Sequence, residues 1–183
     1  MKGMIFVELI AMAEETFGEE VVDRVIDAAD LRSGGAFTRV GNYPCEELMA
    51  LVRGFSVHSG IPGAELQRLF GHWMMQSFGR HYPQFFNGRG GSLDMLEAIE
   101  GEIHVEVRKL YPDADLPAFD TTRYGPGSLD MTYRSPRPLA DFCQGLIEAC
   151  TERFGETAQI TRTDLGGEGQ TVTAFQIRTE PAA

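Results

Sequence analysis

The hydrophobic pattern of this 183-residue chain changes once along its length, close to Pro112. Before that point, apolar residues recur every three or four positions, as they do on helices. This part of the pattern predicts helices over residues 4–17, 19–29, 45–57, 63–78 and 92–110. After it, alternating runs predict a strand over 128–135, a helix over 136–155 and two strands around a glycine-rich turn within 157–179. The predicted fold is therefore α+β, with an N-terminal helical part and a C-terminal part that carries a small antiparallel sheet.

Composition is typical of a single soluble domain. A hydrophobic content of 43% is enough for a substantial core. The net charge of -11 argues against a nucleic-acid partner, because such partners require a basic surface. We see no membrane span and no signal peptide, and the three scattered cysteines do not suggest a disulfide framework. A cytoplasmic location is the simplest expectation.

One candidate binding motif follows the change of pattern. If residues 129–137 are extended, Tyr133, Ser135 and Arg137 point to one face, since side chains alternate along a strand. Two hydroxyls and a guanidinium on one face would form a receptor for carboxylates. A simpler reading makes Ser135 the N-cap of the following helix, with Pro136 at the first helical position.

A lone histidine, His104, lies at the edge of the apolar stripe of the predicted 92–110 helix. It could be a half-buried histidine with one hydrogen bond, which is the commoner role. The other three histidines do not have the spacing of a zinc site, and no C-x-x-C-H motif for covalent haem is present. A ligand with carboxylates and a metal that needs one imidazole would use both His104 and the 133–137 motif, and haem is such a ligand.

Several segments in a fixed order resemble one known family. They are MKGMIF, SGGAFTRVGNYP, SGIPGAELQRLFG, HYPQFF, IEGEIHVEVRKLYPDADLP and YRSPR. Together they resemble the haem-nitric oxide/oxygen binding (H-NOX) family, in particular its bacterial stand-alone members, which are similar to the haem domain of soluble guanylate cyclase. The resemblance extends over about residues 1–180. It implies one domain over 1–183, with a helical part of about 1–60 and a haem-enclosing α+β part of about 61–183.

The resemblance also implies a cofactor and its ligands. The cofactor would be haem b, bound without a covalent link, with His104 as the proximal iron ligand. The propionates would be held by Tyr133, Ser135 and Arg137. Apolar side chains would press on the porphyrin and bend it, and they correspond to Ile5 and Pro117.

The gas specificity follows from the distal side of such a haem. In the oxygen-binding branch of the family, a tyrosine five residues after the arginine donates a hydrogen bond to O2, and Phe142 stands at that position here. The supporting polar positions correspond to Leu9 and Met74, which are also apolar. Because O2 depends on a hydrogen bond more than NO and CO do, we expect binding of NO and CO and exclusion of O2.

Two of the cysteines call for separate comment. Some bacterial relatives build a zinc site from cysteines and a histidine in the C-terminal part. This chain has only Cys143 and Cys150 there and no histidine after position 104, so we expect no zinc. Both cysteines lie on one face of the predicted helix, where buried packing or a thiol-based sensor are the alternatives.

By resemblance, the chain is expected to be a gas sensor and not an enzyme. NO would weaken the bond between His104 and iron, and the resulting change would regulate a separate histidine kinase or cyclic-di-GMP enzyme. Two alternatives remain open on the residues alone. One is a haem enzyme such as a peroxidase or dioxygenase, which would need a distal acid–base group or hydrogen-bond donor. The other is a haem-free module that binds a carboxylate through Arg137.

Overall fold

The computed structural model describes residues 1–181, so the last two residues of the expected 1–183 domain lie outside the description. The helices are α1 (Gly3–Phe17), α2 (Glu19–Ala28), α3 (Cys45–Ser59), α4 (Gly63–His81), α5 (Ser92–Ala98), α6 (His104–Leu110) and α7 (Ala140–Arg153). A π-helical segment (Ile99–Ile103) joins α5 to α6, and Pro83–Phe85 forms one 3-10 turn. The strands are β1 (Ala118–Gly125), β2 (Ser128–Ser135), β3 (Glu156–Asp164) and β4 (Thr171–Pro181). The α+β prediction is confirmed.

The four strands form one antiparallel sheet in the order β1-β2-β4-β3. In the register of β1 and β2, Phe119 pairs with Tyr133. Side chains from this sheet, α5 and α7 form one hydrophobic core, which includes Leu129, Phe175 and Ile147. A second core lies among α1 to α4. Within residues 1–181, the longest and most apolar helices still fall short of what crossing a membrane requires.

Strand β1 was not predicted from the sequence. Its residues alternate between exposed and half-buried, and none of them is fully buried. It is an edge strand, and within residues 1–181 its only partner is β2, so little of its surface contacts a core. The hydrophobic alternation that identifies a half-buried strand is therefore weak here, and pairing with β2 is what fixes the conformation.

The helix predicted over 136–155 begins later than expected, at Ala140, after the N-cap residue Leu139. Ser135 is consequently not the N-cap of this helix, and that reading was wrong. Pro138 disfavours a helical conformation for the residue before it, so the chain stays irregular until the proline is passed. Ser135 instead ends β2, and its hydroxyl accepts a hydrogen bond from the backbone N–H of Arg137 at 3.1 Å.

Two glycines bring α4 and α7 unusually close together. A Cβ atom on Gly71 would lie 2.5 Å from the backbone oxygen of Phe142, and one on Gly145 would lie 2.1 Å from the backbone oxygen of Arg68. Real Cβ atoms do not approach backbone atoms so closely, because van der Waals repulsion rises steeply at such distances. The contact holds α7 against the helical part and so fixes where Phe142 lies.

Replacement of Gly145 by alanine is expected to destabilise the protein by about 1–3 kcal/mol, because the added methyl group must push two backbones apart. Gly63→Ala serves as the control, since its Cβ would meet Val52 at an ordinary 3.6 Å. The control should be neutral or slightly stabilising, by less than about 1 kcal/mol. Urea unfolding midpoints measure both changes. Equal midpoints for the two variants would contradict the close approach.

Candidate functional site

A cavity of about 300 Å³ lies between the helical part and the sheet. Its walls come from the start of α1, the second half of α4, the segment from α5 to β1, the inner face of β2, and α7. The lining is almost entirely apolar, and Phe78, Phe85, Phe86, Phe119 and Phe142 contribute five aromatic rings. Its size and character are those of a site for a cofactor or another apolar ligand.

His104 is the first residue of α6, and its side chain is buried in the wall of this cavity. Its Nδ1 lies 3.1 Å from Oε2 of Glu100. Because a carboxylate accepts hydrogen bonds, Nδ1 carries the proton, and Nε2 is left with a free lone pair. Burial lowers the pKa of His104 by more than Glu100 raises it. The imidazole is therefore neutral at neutral pH, as a metal ligand must be.

Glu100 receives two further hydrogen bonds. The guanidinium of Arg108 donates to Oε1 at 3.0 Å, and the backbone N–H of Phe119 donates to Oε2 at 3.3 Å. Burial raises the pKa of Glu100, but the hydrogen bonds from Arg108 and His104 outweigh it, so the pKa is lowered. The group beside His104 is consequently an ionised carboxylate.

The π-helical segment lies directly before His104 and contains Glu100. The continuous helix expected over 92–110 is thus divided into three segments, because the backbone hydrogen bonds change from α-helical to π-helical spacing between Ile99 and Ile103. Such π turns occur frequently at functional sites. The i, i+4 spacing of Glu100 and His104 was available in the sequence, and the sequence reasoning overlooked it.

The structure brings Tyr133 and Arg137 to the same cavity. Tyr133 lies on β2, and burial raises the pKa of its hydroxyl to about 12. The guanidinium of Arg137 donates to the backbone oxygen of Asp115 at 2.8 Å and also pairs with the carboxylate of Asp115. Ser135 does not line the cavity, and its hydroxyl contacts the backbone N–H of Arg137 and the hydroxyl of Tyr133. Asp115, in the loop before β1, lines the cavity but was not identified from the sequence.

The predicted apolar residues divide into two groups. Ile5, Pro117 and Phe142 line the cavity. Leu9 and Met74 do not: the structure places both among the buried residues of the helical core. One residue on an α-helix turns the side chain by about 100°, so Met75, the neighbour of Met74, reaches the cavity wall.

Taken together, the polar groups of this cavity fit haem. A neutral, buried imidazole offers one axial ligand, and apolar walls suit a porphyrin. Arg137 and Tyr133 would supply hydrogen-bond donors for its carboxylates. The sequence had indicated this set of groups, and the structure adds that His104, Tyr133 and Arg137 share one cavity.

The two cysteines of α7 are both buried, and Cys143 lines the cavity. Burial raises the pKa of each thiol to about 12. Cys45, at the start of α3, is only partly buried. Residues 1–181 contain no group of three or more His, Cys, Asp or Glu side chains placed to hold a metal ion.

Comparisons with known proteins identify relatives over nearly the whole chain. The family model described as "Haem-NO-binding" matches residues 2–162. An Fe(II) unliganded H-NOX protein from K. algicida is 33% identical, with 98% of this chain and 97% of that one covered and a TM-score of 0.92. The IWP-051-bound H-NOX from Shewanella woodyi in the Fe(II)CO state is 38% identical, with 100% and 96% covered and a TM-score of 0.83. No curated protein matches this chain.

Thiol labelling tests the burial of the α7 cysteines. At pH 8 a thiol with a pKa of about 12 is ionised in only about one molecule in ten thousand, so Cys143 and Cys150 should react very slowly in the native protein. We expect Cys45 to react first with a thiol reagent, and all three to react in denaturant. Rapid native labelling of Cys143, identified by mass spectrometry of peptides, would contradict this arrangement.

Proposed function

The chain belongs to the haem-NO-binding family of gas-sensor domains, which are not enzymes, and we propose that it senses NO through a haem b held by His104. The observation that carries the proposal is the neutral, buried imidazole of His104 in an apolar cavity. Its Nδ1 is engaged by Glu100, so Nε2 is the nitrogen available to iron. When bound, haem supplies an iron centre with one position for a diatomic gas.

We assign the two ends of the cofactor site to different parts of the chain. Arg137 and Tyr133 would hold the propionates, because a guanidinium pairs with a carboxylate through two parallel hydrogen bonds. Ser135 would act indirectly, since its hydroxyl fixes the turn that carries Arg137. Ile5 and Pro117 would press on the porphyrin from the cavity wall. Ile5 belongs to the part over about 1–60 and the others to the part over about 61–183, so the site would join the two parts of the domain.

The proposed selectivity is for NO and CO over O2. The cavity walls contributed by α1, α4 and α7 include Ile5, Phe78 and Phe142, none of which can donate a hydrogen bond. Bound O2 carries partial negative charge and is stabilised by a donor, whereas NO and CO depend on a donor much less. Tyr82, at the C-terminal end of α4, also lines the cavity and is the hydroxyl to test as an alternative donor.

The signal would begin with the release of His104. His104 opens α6 and directly follows the π-helical segment, whose wider hydrogen-bond pattern can return to an α-helical register when α6 shifts. Loss of the iron bond on NO binding would free α6 to move, and the two arrangements would be distinguished by a separate cytoplasmic protein. We propose a histidine kinase or a cyclic-di-GMP enzyme as that protein.

An absorption spectrum of the protein, purified after expression with a supply of haem, tests the proposal. We expect the main absorption band of the reduced protein to shift with NO and with CO, and to stay unchanged in air.

His104→Gly should lose the spectrum of a histidine ligand and regain it with added imidazole. Protein that is colourless despite ample haem would instead favour a haem-free module that binds a carboxylate through Arg137.

Replacement of Arg137 by alanine should lower haem retention, because one propionate loses its charged partner. Arg134→Ala is the matched control: Arg134 lies three residues earlier on β2 and pairs with Asp120, and it does not line the cavity. We expect at least a tenfold faster transfer of haem to an apomyoglobin acceptor from Arg137→Ala, and no change from the control. Equal transfer rates would contradict the assignment.

Phe142→Tyr should introduce a hydrogen-bond donor into the cavity and allow O2 to bind the reduced protein. Tyr82→Phe removes the hydroxyl at the C-terminal end of α4 and provides the comparison. Spectra recorded in air should change for Phe142→Tyr and should remain those of the reduced protein for the wild type and for Tyr82→Phe. If the wild type binds O2 and Tyr82→Phe abolishes that binding, the proposed selectivity is wrong and Tyr82 is the donor.

A further inference from the structure

We propose that Glu100 is a positioning residue for His104, and that its negative charge strengthens the bond that His104 makes to iron. The inference rests on the proposed function, because it concerns the same histidine. Glu100 lies within the segment IEGEIHVEVRKLYPDADLP, which carries part of the family resemblance, but the resemblance assigned it no role. The inference also predicts how neighbouring charges set the strength of the bond between His104 and iron.

Three contacts hold the Glu100 carboxylate in one place. Oε2 lies 3.1 Å from Nδ1 of His104 and accepts the backbone N–H of Phe119 at 3.3 Å, while Oε1 accepts from Arg108 at 3.0 Å. The donors come from the first turn of α6, from its second turn and from β1. The carboxylate therefore fixes the imidazole relative to both the helix and the sheet.

The orientation of the ring is also set from β1. The ring of Phe119 lies 5.7 Å from the ring of His104 and 5.8 Å from that of Tyr133, measured between centroids. Thus one residue of β1 anchors Glu100 through its backbone and contacts His104 through its side chain. If His104 moved away from the cavity, either both contacts would break or Phe119 would have to move with it.

The chemical effect follows from the charge of the acceptor. A metal-binding histidine that donates its second N–H to a carboxylate is fixed in one tautomer and becomes a more basic ligand. Here the tautomer is the one that leaves Nε2 free for iron. A more basic imidazole forms a stronger axial bond and stabilises ferric over ferrous haem, so it would resist release more than an imidazole with a neutral partner.

Arg108 should act in the opposite direction. Its guanidinium donates a hydrogen bond to Oε1 of the same carboxylate. Its positive charge reduces the electron density that Glu100 offers to His104. Removal of the guanidinium should strengthen the hydrogen bond to Nδ1, whereas removal of the charge on Glu100 should weaken it. This pair of opposite effects separates the proposal from a simpler view, in which Glu100 is an ordinary i, i+4 partner that only supports the helix.

The test uses the full chain loaded with ferrous haem, without a gas ligand. Resonance Raman spectroscopy measures the iron–histidine stretching frequency, which rises with the strength of the axial bond. We expect Glu100→Gln to lower the frequency and Arg108→Gln to raise it. Glu102→Gln is the matched control, since Glu102 lies in the same π-helical segment but pairs with Arg89. Its frequency should equal that of the wild type.

The reduction potential gives a second measurement on the same proteins. Glu100→Gln should raise it, by about 59 mV for each tenfold loss in the preference for ferric over ferrous haem. Arg108→Gln should lower the potential. Glutamine retains an acceptor oxygen for Phe119, so a purely structural role would leave frequency and potential unchanged.

The outcomes separate this inference from the proposed function. If the wild type shows an iron–histidine band and neither Glu100→Gln nor Arg108→Gln shifts it, the inference is overturned while the sensor proposal stands. If the wild type shows no such band, or the band persists in His104→Gly, the proposed function fails and the inference fails with it. Should Glu100→Gln not fold, the Arg108→Gln arm decides: an upward shift supports the inference, and no shift overturns it.

Discussion

The site depends on keeping one imidazole neutral and correctly oriented inside an apolar cavity. Burial disfavours the charged form of His104, and the adjacent carboxylate of Glu100 alone would favour it. Burial has the larger effect, so the ring stays neutral, while the carboxylate determines which nitrogen carries the proton. The cavity walls contribute by excluding water, which makes both effects stronger than they would be at the surface. A histidine with the same neighbours on an exposed helix would not be held in this state.

The fold provides this environment by having two cores instead of one. The helical core and the core under the sheet are separate clusters, and the cavity lies between them. They are held together largely by α4 and α7, which approach through Gly71 and Gly145. Because α7 also carries Phe142 and Cys143, the same contact determines the shape of the cavity wall. A ligand that fills the cavity would therefore contact both cores.

Much of the fold was readable from hydrophobic periodicity. Helices α1 to α4 and strand β2 were predicted within a few residues of their observed ends, since each buries a regular apolar face. The failures occurred where a tertiary contact decides the local structure. Strand β1 exists because it pairs with β2, and α7 starts late because of Pro138. Met74 was predicted at the cavity by register, but a helix presents a different side chain at each residue, and the orientation of α4 selects Met75.

The sequence by itself determined the chemical groups: one histidine at the edge of an apolar stripe, and two hydroxyls and an arginine at strand spacing. Residue types and spacing carry such information because they define what each group can bind. Only the tertiary structure decided that Tyr133 and Arg137 share a cavity with His104 while Ser135 supports the turn. It alone placed Glu100 between His104, Arg108 and the backbone of Phe119. These contacts join residues from different elements, and their geometry is fixed by how helices and sheet pack, which no local pattern specifies.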